Sequence, residues 1–294
     1  ESQTVDSFIN GQVYLGTNTI FLMPSYNGYY FDNNRNELDS TGEWYYDDVT
    51  QTLYYQISSG QNPLTHNIES TIFQNGITLL TGSSFVTFNG IDFDQQYSAG
   101  VKLLSGCNHI TILNCRFTNQ YKCGIELSNN ALNLSISGCS FSNICGDGIH
   151  STGNCNGFIH ANSFIKIGIN EGYGLNEEYN GSAMLFLNLN NSTVSNNRTD
   201  STGFAGIVCN GSNNVIDRNL IDHCLLTLNY GGGIYSYTTS SHNNLIENNF
   251  VFNSTGGFKG LASYAAMANG IFLYFGCDTV RLINNLTANC NQYG

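Results

Sequence analysis

Apolar and polar positions alternate in a four-residue phrase that recurs along most of the chain. The phrase is a small residue, an apolar residue, any residue and a second apolar residue, and such alternation is typical of a β-strand. Successive copies start 24, 24, 24, 34, 24, 27 and 37 residues apart, at residues 76–79, 100–103, 124–127, 148–151, 182–185, 206–209, 233–236 and 270–273. A repeat of this length predicts a solenoid whose coils stack their apolar edges.

A second phrase keeps step with the first. An apolar residue is followed three positions later by Asn or Cys, at Cys115, Cys139, Asn162, Asn197, Asn219, Asn249 and Asn285. Asn suits a turn because it tolerates the left-handed backbone region, and stacked Asn side chains satisfy one another and the peptide groups of the turn. Each coil is therefore predicted to hold at least two short strands separated by a turn.

Together the two phrases resemble the right-handed parallel β-helix of pectate lyases and their relatives, including its internal row of asparagines. The resemblance covers roughly residues 73–291. It implies an all-β fold, a right-handed parallel β-helix solenoid of about eight coils, which we assign to residues 68–294. Residues 1–67 lack the repeat, and we expect a β-hairpin-rich elaboration that caps or flanks the solenoid, because an open end exposes a sheet edge.

The N-terminal part contains strand-like segments at 13–15, 20–22 and 28–31 and a hairpin pattern that pairs 43–46 with 52–55. The hairpin resembles a phrase of secreted β-helix carbohydrate-active enzymes such as glycoside hydrolase family 141. In that family the phrase lies apart from the catalytic carboxylates. We therefore interpret Glu43, Trp44 and Asp47 as structural residues of the hairpin.

The same resemblance implies acids on two coils, because glycoside hydrolysis generally uses two carboxylates across one sugar bond. In this chain Tyr230 takes one of those positions, and Tyr274 and Phe275 take the others. This departure favours a protein that has lost catalysis. A rival interpretation keeps catalysis with other acids, among them Glu126, Asp147, Glu171, Glu177 and Glu178.

The third residue of each phrase is predicted to point outward and to form a row along one face: Lys102, Glu126, His150, Met184, Val208, Tyr235 and Phe272. Glu126 and His150, with Asp147 nearby, are candidate catalytic residues, although stacked unlike charges also stabilise a sheet without further purpose. The lower half forms an apolar and aromatic stripe, whose candidate glycan or subunit contacts are Met184, Phe186, Tyr235, Tyr237, Phe272 and Tyr274. Such a stripe is covered or used: the inserts at 167–181 and 254–269, a sugar chain or another subunit are the alternatives.

The chain has 294 residues and a formal net charge of −12, which argues against nucleic acid and anionic membranes as partners. No apolar run is long enough to span a bilayer, and the chain does not begin with a signal peptide. Its Asn-x-Ser/Thr triplets and ten cysteines indicate an extracellular protein. Candidate glycosylation sites are Asn133, Asn180, Asn190, Asn191, Asn210 and Asn253. Asn197 and Asn285 belong to the internal row and are expected to be buried and unmodified.

Register brings two cysteine pairs near one another, Cys115 with Cys139 and Cys123 with Cys145. Adjacent parallel strands lie about 4.8 Å apart, within the Cα separation of about 4.4 to 6.8 Å that a disulfide needs. A buried stack of thiols that act as small hydrophobes is the alternative for the first pair. The six histidines show no metal-binding spacing, and no cofactor is expected.

The sequence thus favours a secreted, glycosylated β-helix that serves as a structural or adhesive extracellular module, such as a subunit of a surface filament or coat. Its partners would be further copies of itself, neighbouring extracellular domains or a polysaccharide. The alternatives are a polysaccharide-degrading hydrolase or lyase and a carbohydrate-binding module without chemistry.

Overall fold

The structure is a computed structural model that describes residues 4–16, 31–175, 177–257 and 267–293. Two antiparallel hairpins form the described N-terminal part: β1 (Val5–Ile9) pairs with β2 (Gln12–Leu15), and β3 (Trp44–Asp47) pairs with β4 (Thr52–Tyr55). The second is the predicted hairpin. Two short 3₁₀ helices, Arg35–Glu37 and Pro63–Thr65, complete this part. The segments predicted at 20–22 and 28–30 lie outside the described residues.

From Asn75 onward the chain winds through three parallel sheets of eight strands each. Sheet 1 contains β5 (Asn75–Leu79), β8 (Ala99–Leu103), β11 (Cys123–Leu127), β14 (Asp147–Ser151), β17 (Met184–Phe186), β20 (Ile207–Cys209), β23 (Gly231–Ser236) and β26 (Ala268–Leu273). Sheet 2 contains β6 (Ser84–Asn89), β9 (Asn108–Leu113), β12 (Ala131–Ser137), β15 (Cys155–His160), β18 (Thr193–Ser195), β21 (Val215–Asp217), β24 (Leu245–Glu247) and β27 (Arg281–Ile283). Sheet 3 contains β7 (Asp92–Asp94), β10 (Arg116–Thr118), β13 (Ser140–Ile144), β16 (Ser163–Ile167), β19 (Arg198–Thr202), β22 (Leu220–Asp222), β25 (Phe250–Phe252) and β28 (Leu286–Ala288).

The predicted β-helix of about eight coils is confirmed, and each coil holds three strands. The first sequence phrase forms sheet 1, and the second phrase spans the turn from sheet 2 to sheet 3. Sheet 3 strands are only three to five residues long, so their alternation is too brief to stand out in the sequence.

An internal row of amides runs through the turn between sheets 2 and 3, as predicted. The Asn197 amide N–H donates to Asn219 Oδ1 at 3.0 Å, and Asn219 Nδ2 donates both to Val194 O and to Asn249 Oδ1. The same bonds recur from Cys139 to Asn285. Asn197 is buried and Asn285 is half-buried. A second buried row, with Asn214 and Asn244, has no counterpart in the predicted phrases.

The glycine that opens each of the first four phrases is explained by a stack of phenylalanines from sheet 3; Ile221, Val251 and Thr287 face the glycines of the last three. Phe117 stacks on Phe141 at 4.7 Å between ring centroids, and Phe141 stacks on Phe164 at 4.5 Å. A Cβ added to Gly124 would lie 2.6 Å from Phe141 Cδ1, and one on Gly148 would lie 2.6 Å from Phe164 Cδ1. Each ring therefore fills the space that a side chain on its own coil's glycine would need.

The predicted register of the fifth coil is wrong by one residue. Met184 pairs with Ile149 and Leu185 pairs with His150, so the phrase begins at Ala183 and not at Ser182. Met184 and Phe186 consequently point inward and are fully buried, which removes both from the predicted contact stripe. The sequence misled because Ser182 and Ala183 both fit the small position.

All ten cysteines fall within the described residues, and all are free thiols. Cys115 and Cys139 occupy successive positions of the internal row and are buried, as the thiol-stack alternative requires. Cys123 and Cys145 are not brought together: Cys123 pairs with Asp147, whereas the Cys145 amide donates to Gln120 O. Burial raises the pKa of Cys139 and of Cys155 to about 11, so these thiols are weak nucleophiles.

Both ends of the solenoid leave core positions partly uncovered within the described residues. Leu282 of the last coil is 52% exposed whereas its partner Ile246 is 1% exposed, and Val86 of the first coil is half-buried whereas its partner Ile110 is fully buried. In the hairpin, Glu43 Oε2 accepts the amide protons of residues 39 and 40, and Asp47 Oδ1 accepts those of residues 49 and 50. These bonds agree with structural roles for both acids. That residues 1–67 cap the solenoid stays a prediction.

Candidate functional site

Three charged side chains lie side by side on the outer face of sheet 1. Lys102, Glu126 and His150 occupy equivalent positions of β8, β11 and β14. Lys102 Nζ lies 2.7 Å from Glu126 Oε1, and both side chains are about one quarter exposed. The first half of the predicted outer row is therefore present, and Glu126 lies between Lys102 and His150 on neighbouring strands.

His150 is held by a carboxylate that is wholly buried. Asp147 Oδ2 lies 2.8 Å from His150 Nδ1, while Asp147 Oδ1 accepts the backbone amides of Gly181 at 2.9 Å and Ser182 at 2.8 Å. Asp147 has no solvent exposure and the His150 side chain is 8% exposed. A carboxylate bound to Nδ1 fixes the orientation of the ring and leaves Nε2 as the reactive nitrogen.

The amides of Gly181 and Ser182 lie where an insert, residues 168–181, rejoins the solenoid, and we call this insert the strap. The strap leaves the solenoid after β16 and returns before β17. Gly168, at φ +65°, packs so closely on Gly181, at φ +90°, that a Cβ at position 168 would overlap the Gly181 backbone. Asn180 closes the strap internally, because its Oδ1 accepts the Leu175 amide and its Nδ2 donates to Tyr173 O.

The strap delivers a second acid to the imidazole. Glu177 Oε2 lies 3.7 Å from His150 Nε2, and the Glu177 side chain is 51% exposed. His150 thus has a buried carboxylate at one ring nitrogen and a solvent-facing carboxylate near the other. Nothing periodic in the sequence marks Glu177, because the insert interrupts the repeat.

These surroundings change the acidity of His150. Burial on its own lowers the pKa of the imidazole, but the hydrogen bond to Asp147 and the charges of Asp147, Glu177 and Glu126 outweigh it, and the pKa is raised above 6.5. A larger share of His150 is therefore protonated near neutral pH than for a free histidine. A protonated imidazole at a groove is a proton donor.

A groove of about 560 Å³ opens beside Nε2, within the volume range of small-molecule sites. It follows the edge where sheet 1 turns toward sheet 2. Apart from Leu127 and the glycine at position 153, its lining is polar: Glu126, Ser128, Asn129, His150, Thr152, Asn154, Glu177 and Asn188. The structure therefore brings together the candidates Glu126, Asp147 and His150, with Glu177 from the rival set of acids.

A sequence-family model described as "Right handed beta helix region" matches residues 99–294. The chain belongs to this family. Comparison with curated proteins finds no match in sequence. Among solved structures, the β-helix is similar to a protein titled "Glycoside hydrolase", at 16% identity and a TM-score of 0.63, over 87% of this chain and 57% of that one. It spans little more than half the length of that structure.

The chain is also similar to a solved structure of an alginate lyase from Paenibacillus sp. str. FPU-7, at 12% identity and a TM-score of 0.44. The match covers 69% of this chain and 77% of the lyase chain. At 16% identity, the likeness to the first structure concerns the fold of the β-helix.

The lower half of the outer row is apolar and largely covered. Leu185 and Val208 are buried, and Tyr235 is 3% exposed. Tyr179 of the strap packs on this face, with its ring centroid 4.7 Å from Tyr237 and 5.8 Å from Tyr235. Of the three alternatives for the stripe, cover by an insert of the same chain therefore applies to this part of the β-helix, because the strap packs on it. The second insert, 254–269, falls mostly outside the described residues.

Of the three positions where the family resemblance implies acids, Tyr230 and Tyr274 belong to an aromatic cluster and Phe275 is 79% exposed. Tyr230 contacts Phe272 and Tyr274, with ring centroids 6.0 and 5.6 Å apart. Tyr274 is 42% exposed, and Phe272 and Tyr237 are half-buried. Of the six predicted contact residues, these three remain on the surface of the β-helix.

The candidate glycosylation sites differ in accessibility. Asn133 and Asn191 are exposed, whereas Asn180, Asn190 and Asn253 are half-buried. Asn210 is 1% exposed and its Oδ1 accepts the Tyr237 amide at 2.8 Å, so we withdraw it as a glycan site. Glycosylation at the others stays a prediction.

Among the described residues, no cluster of three or more His, Cys, Asp or Glu is suited to hold a metal ion. No helix in the described ranges has the length and apolarity needed to cross a membrane.

Proposed function

We propose that this β-helix cleaves a polysaccharide in the groove beside His150. The observation that carries the proposal is the buried Asp147–His150 pair, 2.8 Å apart, whose free ring nitrogen opens onto a polar groove near two further carboxylates. Perturbed titratable groups cluster at functional sites more often than elsewhere. A purely structural row of charges needs neither a buried carboxylate nor a groove.

The groups present suit hydrolysis of a glycosidic bond. His150 donates the Nε2 proton to the bridging oxygen as its bond to the anomeric carbon breaks, which lets the leaving sugar depart as an alcohol. Water adds to the anomeric carbon and its proton passes to a carboxylate of the groove, Glu177 or Glu126. Asp147 holds the imidazole and stabilises its positive charge.

The similarity in fold to a structure titled "Glycoside hydrolase" supports the choice of carbohydrate as the substrate. The tyrosines at the implied acid positions argue for a different location of chemistry on the solenoid, not for the absence of a site. The groove lies several coils away from Tyr230 and Tyr274 along the same sheet.

The test is release of reducing ends from a panel of polysaccharides by the purified protein. Cleavage by the wild type that falls at least a hundredfold in His150→Gln supports the proposal, since general acid catalysis contributes about 10² to 10⁴ in rate. Asp222→Asn, a half-exposed acid of sheet 3, serves as the matched control and retains activity. Absence of cleavage across the panel, or equal activity of His150→Gln, overturns it.

A second candidate is the secreted, glycosylated structural or adhesive module without catalysis. The partly uncovered core positions at both ends favour it, because Leu282 of the last coil is 52% exposed and Val86 of the first coil is half-buried, whereas their partners one coil inward, Ile246 and Ile110, are at most 1% exposed. Coils stacked end to end between copies would bury both surfaces. Electron microscopy of unconcentrated native protein tests this: filaments support it, and monodisperse monomers contradict it.

A further inference from the structure

The charges of the groove indicate which sugars it accepts. Glu126 and Glu177 line it, whereas no Lys or Arg belongs to its described lining. Lys102 lies outside the lining and is already paired with Glu126 at 2.7 Å. The one cationic group of the lining, the His150 imidazolium, already has Asp147 at 2.8 Å and Glu177 at 3.7 Å. A uronate carboxylate entering this space would therefore face Glu177 without an unpaired cation to bind, and an unpaired charge removed from water is costly.

The turn of sheet 1 supplies the groove with a row of amides. Asn129 and Asn154 follow β11 and β14, and Asn188 follows β17, so one amide stands on each of three successive coils. Parallel strands repeat about every 4.8 Å, close to the length of one extended pyranose unit. Asn129 lies opposite Gly153, and Asn154 is one residue further along its own turn. A sugar chain that runs along the solenoid axis would therefore meet one amide on each coil, with the middle amide offset by one residue.

The amides are held in place before any ligand binds. Asn129 Oδ1 accepts the backbone N–H of Asn154 at 2.9 Å. Asn190 Nδ2 donates to Asn154 Oδ1 at 3.1 Å and to Asn188 Oδ1 at 2.9 Å. Within the described part of the chain, the Nδ2 groups of Asn129 and Asn188 make no hydrogen bond. Ordered amides with spare donors match sugar hydroxyls, which accept as well as donate.

We infer that the groove selects a neutral, hydroxyl-rich glycan chain and rejects polyuronates, and that Glu177 of the strap is the main residue that excludes acidic sugars. The inference deepens the proposed function and rests on it for the assignment of the groove to carbohydrate. Glu177 has the larger part because its side chain is 51% exposed and because the nearest cation, the His150 imidazolium at 3.7 Å, is already neutralised by Asp147 at 2.8 Å. Glu126, in contrast, is neutralised by Lys102.

Calorimetric binding at low ionic strength tests the inference with two sets of hexasaccharides. The neutral set is cellohexaose, xylohexaose and mannohexaose, and the acidic set is hexagalacturonate and hexaguluronate. We expect at least one neutral chain to bind the wild type at least tenfold more tightly than either acidic chain. Glu177→Gln should raise the affinity for the acidic chains about tenfold, and added salt should reduce that gain because screening weakens the repulsion.

Glu178→Gln is the matched control, because Glu178 is the neighbouring exposed acid of the strap and does not line the groove. It should leave both affinities unchanged. Acidic chains that bind the wild type as tightly as neutral ones overturn the inference, as does equal relief of exclusion by Glu178→Gln. Binding of a neutral chain without cleavage keeps the inference and refutes hydrolysis. Cleavage of a polyuronate that depends on His150 keeps hydrolysis and refutes the inference. Failure of every chain to bind refutes both the inference and hydrolysis in this groove.

Discussion

The outer face of sheet 1 has two halves that share one backbone and differ in what covers them. The upper half carries Lys102, Glu126 and His150 and borders a groove open to water. The lower half carries Leu185, Val208 and Tyr235, which are at most 3% exposed. The strap separates them, with Glu177 directed to the upper half and Tyr179 packed on the lower. One insert therefore gives a repetitive surface both a polar site and an additional small core.

This comparison makes the strap the part of the molecule on which both halves depend. Asp147 joins the strap to the site, because one carboxylate binds two strap-end amides and the imidazole. Tyr179 joins the strap to the aromatic cover. The predictions below separate these two attachments.

The largest effect is expected for Asp147→Ala. The change leaves a buried imidazole and two backbone amides without their acceptor, and breaking a buried charged pair costs about 3–5 kcal/mol in the free energy of unfolding. Urea denaturation followed by circular dichroism measures it. Asp92→Ala removes an exposed ion pair with Arg116 and should cost less than about 1 kcal/mol. Equal losses for the two variants would show that Asp147 does not anchor the strap.

A smaller loss of unfolding free energy is expected for Tyr179→Ala. This change uncovers the lower half of the outer row and alters no residue that lines the groove. The ring is half-buried, so we expect about 2 kcal/mol, less than the cost of removing a fully buried aromatic side chain. Binding of a hydrophobic dye should increase as Tyr235 becomes exposed. Tyr179→Phe keeps the ring and should retain most of the stability. An unchanged dye signal in the alanine variant would contradict the assigned cover.

The pH dependence of stability should isolate the His150 contacts. The pKa of His150 is raised in the folded state, so its contribution is fully present below the unfolded value of about 6.5 and is lost as pH rises through the folded value. The melting-temperature advantage of the wild type over His150→Gln should thus be largest near about pH 6 and smallest near about pH 9. An advantage that grows with pH would refute the raised pKa. His160→Gln, a half-buried histidine of sheet 2, provides the comparison.

The smallest effect concerns the pair at the top of the row. A double-mutant cycle of Lys102→Met and Glu126→Gln should give a coupling energy of about 0.5 kcal/mol that decreases with salt, since both side chains are partly solvated. Thermal unfolding at two salt concentrations measures it. A coupling above about 2 kcal/mol would place the pair in a far less hydrated setting than its exposure indicates.

Sequence periodicity predicted those parts of the fold in which each coil repeats its neighbour. The internal row through Asn197 and Asn219 and the outward positions of Glu126 and His150 follow from spacing alone. The fifth coil was misplaced by one residue because the face above Leu185 is covered, so inward and outward positions are both apolar. Alternation marks a strand only where its two faces meet different surroundings.

The candidate site could be predicted only in part, because periodicity places the residues of the repeat and says nothing of the residues in the insert. Asp147, Glu126 and His150 belong to the repeat, and their proximity follows from register. Glu177 comes from an insert whose path depends on contacts such as that of Gly168 with Gly181. No periodic pattern in the sequence predicts these contacts. The groove amides lie in turns after sheet 1, where Asn is frequent for conformational reasons and carries no specific signal.

The fit between a small residue of sheet 1 and the side chain that faces it from sheet 3 also bears on how such a chain changes over generations. Both members belong to one coil, as Gly148 and Phe164 do, and the coil that has Ala183 carries Thr199 where its predecessor has Phe164. A substitution at one member thus invites a compensating change within the same two dozen or so residues. Duplication or loss of a whole coil leaves every such pair intact, so the solenoid can lengthen or shorten by entire coils more readily than it tolerates a single misplaced side chain.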